Sequence, residues 1–333
     1  MANNRPKIGL ALSGGTGRAI THIGVLEVLR EQGIPVDYIT ACSSGTLIAA
    51  SYACGTMEVL KRDWLRLNKG FLFGLFGLDT SSGRGLLRTE KLEAWVEQYI
   101  NGKKFEEVKP RLGFVCTDIL TGEPVVLSLG DIVKAARASS VVPGLFEPVE
   151  WGNRLLIDGG LLSLVPTTEA KQLGADIVIG VDIAATRYMF KKSVYRFRQG
   201  YNLLRRSLPI QLYEKLHNFI DRLFTKSVDF IFYNQSDALE ESNLRSPGMF
   251  GILGSAIDLS LAQSQSRQNH TLDCDYLISP KVKHLGKMDF ENAAKMLEEG
   301  RRATLAAVPE IRRLIEGYEW RRKEGKKLKL RHA

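Results

Sequence analysis

A serine at the junction of an apolar run and a helical pattern constrains this chain more than any other feature. Residues 38–45 read YITACSSG, and the helical pattern begins directly after the two serines. A sharp strand-to-helix turn lifts a hydroxyl above the edge of a sheet, where a substrate can reach it. Only Ser43 has the register relative to the strand that this position requires, because Ser44 is already one residue into the helix. We therefore predict that Ser43 is a nucleophile.

Small residues are needed on both sides of such a serine, because the crossing backbones are crowded. Gly45 supplies one of them, two positions after Ser43, but the position two residues before it is Ala41 rather than glycine. The alternative interpretation of the segment is a serine that only caps a buried helix.

A glycine-bearing loop precedes the serine turn and follows the first apolar run. Residues 12–18 read LSGGTGR. A loop of this kind at a helix N-terminus offers free backbone N–H groups, which bind negative charge. We predict that these amides stabilise an oxyanion, and the candidates are Gly14, Gly15, Thr16, Gly17 and Arg18. A dinucleotide-binding loop is disfavoured, because Ile20 occupies the third small position and Asp37 precedes the second strand instead of ending it.

A nucleophilic serine needs a base, and the chain offers two kinds of candidate. Asp158 follows the apolar residues 155–157 and precedes Gly159 and Gly160, so its carboxylate is expected at a strand end, with close approach allowed by the glycines. A plain Asp-Gly-Gly turn is the alternative. Among the five histidines, His270 and His284 stay open as triad members, whereas His22 is predicted to be a packed helix residue.

Strands and helices alternate along residues 7–183. The predicted strands are 8–12, 38–41, 112–118, 124–128, 154–157, 177–181 and 273–280. The predicted helices are 19–32, 44–53, 166–173 and one or two within 290–322. This alternation predicts an α/β fold of three layers, with a mostly parallel central sheet and helices on both faces. Residues 70–78, which read GFLFGLFGL, are predicted to be an apolar loop.

Charge is unevenly spread over the chain, whose formal net charge is +9. Residues 187–226 contain ten lysines and arginines but two acids, interleaved with aromatic and leucine side chains. The stretch lies between two core strands, so we predict a basic amphipathic helical insertion at about residues 187–250. A catalytic domain would then span residues 5–285, and C-terminal helices with a basic tail would span 286–333. Residues 187–233 are predicted to dock on an anionic membrane rather than on nucleic acid, or else to pack on the core.

No apolar run approaches the roughly 18 residues that a membrane span requires, and residues 1–6 do not read as a signal peptide. The four cysteines have no metal or redox spacing and are expected to be reduced thiols. We therefore expect a cytoplasmic protein, peripheral to the inner face of the membrane. The sequence leaves the oligomeric state open.

Taken together, the motifs resemble those of the patatin-like phospholipase family. Residues 7–15 (KIGLALSGG) with 22–26 (HIGVL) look like its first strand, oxyanion loop and helix, and residues 34–39 (IPVDYI) like the lead-in to its serine turn. Residues 137–146 (RASSVVPGLF) look like the segment before its aspartate strand, and residues 158–161 (DGGL) like its catalytic aspartate motif. The resemblance covers roughly residues 7–183 and continues weakly at 273–315.

The resemblance implies a serine lipid hydrolase with a Ser43–Asp158 dyad and with no metal or other cofactor. Ser43 would attack the acyl carbonyl of a phospholipid, lysophospholipid or related lipid, and Asp158 would take its proton. This chain departs from the family where the loop reads GGTGRA instead of GGGxRG, at Thr16 and Ala19, and where Ala41 replaces glycine. A catalytically weak or silent lipid-binding scaffold therefore stays an alternative, as does an acyltransferase or thioesterase.

Overall fold

The computed structural model describes residues 5–75, 77–78, 87–184 and 273–331. The proposed insertion at residues 187–250 lies outside these ranges. The described strands of the main sheet are β1 (Ile8–Leu12), β2 (Tyr38–Cys42), β5 (Arg111–Asp118), β6 (Glu123–Leu127), β7 (Val149–Trp151), β8 (Arg154–Asp158), β9 (Ile177–Val181) and β10 (Tyr276–Ile278). A separate antiparallel pair consists of β3 (Gly77–Leu78) and β4 (Leu87–Arg88).

Helices cover both faces of the main sheet, which confirms the predicted three-layer α/β fold. The described helices are α1 (Ile20–Glu31), α2 (Gly45–Cys54), α3 (Met57–Trp64), α4 (Lys69–Gly74), α5 (Glu90–Glu97), α6 (Ile132–Ser139), α7 (Thr167–Gln172) and α8 (Ala293–Arg331). Single 3-10 turns occur at Thr16–Ala19, Phe105–Glu107, Gly159–Leu161 and Phe290–Asn292.

The sheet is mixed: among the described strands, four neighbouring pairs are parallel and three are antiparallel, in keeping with the mostly parallel sheet that the alternation predicts. The strand order is β10-β9-β1-β2-β5-β8-β7, with β6 also paired to β5. From β10 to β5 the neighbouring strands are parallel, whereas β6, β7 and β8 add antiparallel pairs. The parallel strands β1 and β9 are buried along their whole length, as strands covered on both faces must be.

The two faces of the sheet differ in side-chain size. On one face Gly9, Gly113 and Gly180 leave room for the α7 segment: a Cβ atom on Gly9 would lie 2.6 Å from Ala175 Cβ. On the other face the strands carry larger residues that pack with α1, α2 and α6 in the main hydrophobic core. Leu10, Leu12 and Phe114 belong to that core.

The C-terminal helix α8 packs closely against α1. A Cβ atom on Gly24 would lie 2.2 Å from the Leu297 carbonyl oxygen, and one on Gly300 would lie 2.1 Å from the Thr21 carbonyl oxygen. Glycine at both positions therefore lets the two helix backbones touch. The first half of α8 contributes Met296 to the hydrophobic core that the sheet shares.

The prediction for residues 70–78 was wrong, because this segment is not an irregular loop. It contains most of α4 and the short strand β3. The Asn68 side chain accepts a hydrogen bond from the Phe71 amide at 2.8 Å, which starts the helix, and the Phe71 ring packs edge-on against Trp95. Helix α6 was also missed by the sequence reasoning, although Asp131 caps it by accepting from the Lys134 amide.

Candidate active site

Ser43 occupies a strained turn between β2 and α2. Its φ is 51°, a left-handed value that a non-glycine residue adopts at a cost and that is concentrated at functional turns. Gly45 makes the turn possible, because a Cβ atom there would lie 2.8 Å from the Ser13 carbonyl oxygen. The hydroxyl of Ser44 instead accepts a hydrogen bond from the Gly15 amide at 3.1 Å. The two serines therefore have different surroundings.

The pairing of β5 explains why Ser43 and Asp158 meet. Strand β6 covers one edge of β5, so β2 and β8 must share the other edge. On that edge β2 ends with Cys42 opposite Val115, and the antiparallel β8 ends with Asp158 opposite Cys116. The carboxyl ends of β2 and β8 therefore face each other on adjacent residues of β5.

The Asp158 carboxylate is buried and lies close to the serine. The residue is 9% exposed, and its Oδ1 atom accepts from the Gly160 amide at 2.8 Å. Burial raises the pKa of Asp158 to about 6, although the Gly160 amide, the side chains of Ser43 and Cys42 and the positive charge of Lys287 all lower it. A carboxyl with this pKa is ionised at neutral pH and is still basic enough to accept a proton.

Gly159 fixes the path of the chain after Asp158. A Cβ atom on Gly159 would lie 2.1 Å from the Val115 carbonyl oxygen, so only glycine fits against β5 at this point. The Thr117 hydroxyl donates to the Asp158 carbonyl oxygen at 3.0 Å from the same strand. The Asp-Gly-Gly motif is therefore built into the sheet and is more than an exposed turn.

The described part of the chain contains two of the five histidines, His22 and His284. His22 is fully buried in α1, with Nε2 located 2.8 Å from the Ser13 carbonyl oxygen, and burial lowers its pKa to about 4. This agrees with the prediction of a packed helix residue. His284 is exposed, and His270 lies outside the described residues.

The glycine loop lies directly beside the serine. A Cβ atom on Gly14 would lie 2.9 Å from Ser43 Cβ and 3.6 Å from Ser43 Oγ. Three of the five predicted oxyanion amides already have protein acceptors: Gly15 donates to Ser44 Oγ, Gly17 to the Lys287 carbonyl oxygen, and Arg18 to the Gly15 carbonyl oxygen. Within the described ranges, the amides of Gly14 and Thr16 donate to no protein acceptor.

Arg18 uses its side chain to hold the glycine loop in place. The side chain is fully buried, and it donates to the carbonyl oxygens of Leu285, Lys283 and Ala184. Burial lowers the pKa of its guanidinium to about 10, against the opposing charge of Asp182. This arginine therefore connects the loop to residues 283–285.

Two cysteine thiols lie beside Asp158. Cys42 and Cys116 are buried, and burial together with the Asp158 charge raises the pKa of both thiols. The Cys42 thiol contacts Asp158 Oδ1 at 3.6 Å. All four cysteines are free. These thiols are neutral neighbours of the carboxylate and do not compete with Ser43 as nucleophiles.

Comparisons with known proteins point to one family. The patatin-like phospholipase family model matches residues 10–171, which include the glycine loop, Ser43 and Asp158. An uncharacterized NTE family protein of Mycobacterium tuberculosis is 30% identical over 312 residues, which are 91% of this chain and 47% of that protein. The chain belongs to the patatin-like phospholipase family.

Other matches cover less of this chain or have lower identity. A second uncharacterized NTE family protein of M. tuberculosis is 32% identical over 182 residues, covering 54% of this chain and 50% of that protein. The lysophospholipase nte1 of Aspergillus fumigatus is 30% identical over 195 residues, or 12% of its length. The crystal structure of VipD from Legionella pneumophila covers 92% of this chain at 13% identity, with a TM-score of 0.44. The chain thus spans about half the length of the first curated relatives it matches, and much less of nte1.

The structure describes all three residues at which the chain departs from the usual patatin motifs, namely Thr16, Ala19 and Ala41. Thr16 itself adopts the left-handed conformation, with φ of 53°, in place of the usual glycine. Ala41 and Ala19 are both fully buried in the core. The loop backbone therefore has the conformation that glycine adopts easily, and Thr16 is strained because it adopts this conformation with a side chain.

Sequence reasoning missed Lys287 as a neighbour of the candidate site. Its carbonyl oxygen accepts from the Gly17 amide at 2.7 Å, and its charge lowers the pKa of Asp158. Nothing in the local sequence marks this lysine. It lies far along the chain, between β10 and α8, and only the fold brings it to the glycine loop.

Proposed function

We propose that this protein is a serine-dependent lipid acyl hydrolase that uses a Ser43–Asp158 dyad. The observation that carries the proposal is that Ser43, on a strained turn at the end of β2, lies beside the buried Asp158 carboxylate at the end of β8 and lowers its pKa. A nucleophile on a strained turn, next to a buried base, is the arrangement that nucleophilic catalysis requires.

The proposed reaction has two halves. Ser43 Oγ attacks the acyl carbonyl carbon while Asp158 takes the hydroxyl proton, and the tetrahedral intermediate collapses as the leaving alcohol receives that proton. Asp158 then takes a proton from water, which attacks the acyl-enzyme and releases the fatty acid. Asp158 acts as base and then as acid in each half, so the enzyme returns to its starting state.

The oxyanion of the tetrahedral intermediate is assigned to the glycine loop. The amides of Gly14 and Thr16 are the best placed, because the loop lies against Ser43 and these two donate to no protein acceptor in the described ranges. Removal of one such donor typically costs about 3 kcal/mol of transition-state stabilisation. The Gly15 amide becomes a third donor if its bond to Ser44 Oγ opens when substrate binds.

The proposed substrate is an acyl ester of a phospholipid or lysophospholipid. Membership of the patatin-like phospholipase family supports this class, as does the similarity to the lysophospholipase nte1.

A fluorophosphonate probe, followed by a lipid panel, tests the proposal. The wild type should be labelled and should release fatty acid, whereas Ser43→Ala should do neither. Ser51→Ala is the matched control, because Ser51 is a buried serine whose hydroxyl only donates within α2. A folded wild type that resists the probe would support the silent scaffold instead. Ester formation on an added alcohol, at the expense of free fatty acid, would support an acyltransferase.

We further propose that residues 187–233 dock the enzyme on anionic membrane. The support is the sequence alone, with ten basic and two acidic residues over positions 187–226. Each basic side chain near such a surface contributes about 1 kcal/mol. Replacing Arg196, Arg198, Arg205 and Arg206 with glutamine should weaken binding to anionic vesicles and leave hydrolysis of a soluble ester intact. Unchanged vesicle binding would contradict this proposal.

A further inference from the structure

A three-residue segment at the end of α6, residues 139–141, contacts both members of the proposed dyad. The Ser139 hydroxyl accepts a hydrogen bond from the Ser43 amide at 3.0 Å. Two residues later, the Val141 carbonyl oxygen accepts a hydrogen bond from the Asp158 amide at 2.9 Å. Ser43 directly follows β2 and Asp158 ends β8, and these two strands do not pair with each other. The segment is therefore a second connection between them, in addition to β5.

The Ser139 hydroxyl uses both of its hydrogen-bonding functions. It accepts from the Ser43 amide and donates to the Val115 carbonyl oxygen at 2.6 Å. A hydroxyl can donate and accept at once, whereas alanine can do neither. Val115 also lies opposite Cys42, and its carbonyl oxygen is the atom against which Gly159 packs. The Val115 carbonyl oxygen of β5 therefore contacts Ser139, which binds the Ser43 amide, and also Gly159, which follows Asp158.

Ser139 is held rigidly enough to act as such a support. It is the last residue of α6, and its side chain is fully buried. Ser43, by contrast, is in a left-handed conformation, with φ of 51°, that persists only where the surroundings hold it. The hydrogen bond from the Ser43 amide to Ser139 Oγ therefore constrains the backbone of this strained residue.

We propose that Ser139 is a positioning residue that holds the backbone of Ser43 so that its Oγ points at Asp158. This inference rests on the proposed function, because it concerns the same nucleophile. Ser139 does not touch the substrate in this scheme. Its effect is on the geometry of attack, where a displacement of about 1 Å can cost about 100-fold in rate.

Kinetics of Ser139→Ala test the proposal. Its kcat for a short-chain ester and its rate of fluorophosphonate labelling should both fall at least about 10-fold, with little change in KM, because binding is left intact. Ser139→Thr keeps the hydroxyl and should restore most of the rate if the added methyl group is accommodated. Ser51→Ala removes another buried serine hydroxyl that donates to a carbonyl, so it should reproduce the loss of stability without the loss of rate.

Exchange of the Ser43 amide proton gives a readout that does not depend on activity. In protein labelled with 15N-serine, this proton should exchange with solvent faster in Ser139→Ala than in the wild type or in Ser51→Ala. If the wild type reacts with the probe but Ser139→Ala keeps the wild-type labelling rate, the positioning role is overturned while the proposed function stands. If the wild type does not react, the exchange measurement decides alone, and an unchanged Ser43 rate overturns the inference.

Discussion

The Lys287 carbonyl oxygen accepts a hydrogen bond from the Gly17 amide at 2.7 Å, so a segment from the C-terminal part of the chain lies against the glycine loop. The same lysine lowers the pKa of the buried Asp158 through its charge. A backbone contact therefore keeps a cation near the proposed base.

Lys287→Gln should shift the acidic limb of the pH–rate profile to higher pH. The base must be ionised to accept the serine proton, and Asp158 has a pKa of about 6, so activity should fall as the pH drops through that value. Without the lysine charge the pKa rises and the fall begins at higher pH, while the plateau near pH 8 is largely kept. Lys283→Gln is the control, because Lys283 is an exposed residue of the same segment. Identical limbs in the two variants would contradict the prediction.

Asp158→Asn should lower kcat by at least about 100-fold, which is the low end for loss of a general base. Asparagine keeps the shape and can still accept from the Gly160 amide, so substrate binding should be retained. Measurement of kcat and KM on a soluble ester checks this. If His284→Ala removes activity and Asp158→Asn does not, a histidine is the base.

The same substitution should stabilise the protein at neutral pH. The folded pKa of Asp158, about 6, lies above its ordinary value of 3.8, so the folded state binds the proton more tightly. The free energy of unfolding therefore decreases as the pH rises from about 4 to about 6, by an amount on the order of 2 kcal/mol. Asp158→Asn removes this penalty, so its gain in Tm over the wild type should be larger at pH 7 than at pH 4. A pH-independent difference would contradict this account.

Thr16→Gly should stabilise the protein slightly and preserve or raise its activity. A β-branched residue at φ of 53° destabilises the folded state by about 1–2 kcal/mol. Glycine removes this strain but costs about 0.5–1 kcal/mol, because the unfolded chain gains conformational entropy. The free energy of unfolding, measured by chemical denaturation, should therefore rise by up to about 1.5 kcal/mol. Asn101→Gly is the control, because Asn101 has a φ of 56° but asparagine tolerates this region well, so its gain should be smaller.

The sequence anticipated the elements of the site better than the contacts between them. The apolar runs and turn signals located β1, β2, β8 and β9 to within one or two residues, because strands buried on both faces are nearly continuous in hydrophobicity. The position of Ser43 at the end of β2 followed from the same pattern. That β2 and β8 end face to face depends on how β5 pairs on its two edges, and no local pattern contains that information.

The contacts that residues distant in sequence make with the candidate site could not be predicted either. Lys287 and the carbonyl partners of Arg18 come from a segment that meets the glycine loop only in the folded chain. Ser139 lies in a segment that the family resemblance includes, but nothing in the sequence gives the direction of its hydroxyl. The α4 segment was misread because its phenylalanines and glycines indicate a loop, whereas capping by Asn68 and packing on Trp95 favour a helix.

Two glycines of α8 should respond in opposite directions to substitution by alanine. Gly300→Ala would place a methyl carbon 2.1 Å from the Thr21 carbonyl oxygen, so α8 must move away from α1. Gly317 has no atom within 4 Å of its hypothetical Cβ, so alanine there only improves helix propensity. That gain is typically about 0.8–1 kcal/mol in an exposed helix interior.

We therefore expect Gly317→Ala to raise the Tm by a small amount and Gly300→Ala to lower it strongly, since overpacking a close contact costs about 1–3 kcal/mol or more. Activity should also fall in Gly300→Ala, because α8 follows directly on the segment that carries Lys287 and the Phe290 ring beside Gly17. Thermal unfolding and ester hydrolysis of the two variants, measured side by side, check both expectations. Equal Tm values would mean that the contact between α1 and α8 is not part of the stable fold.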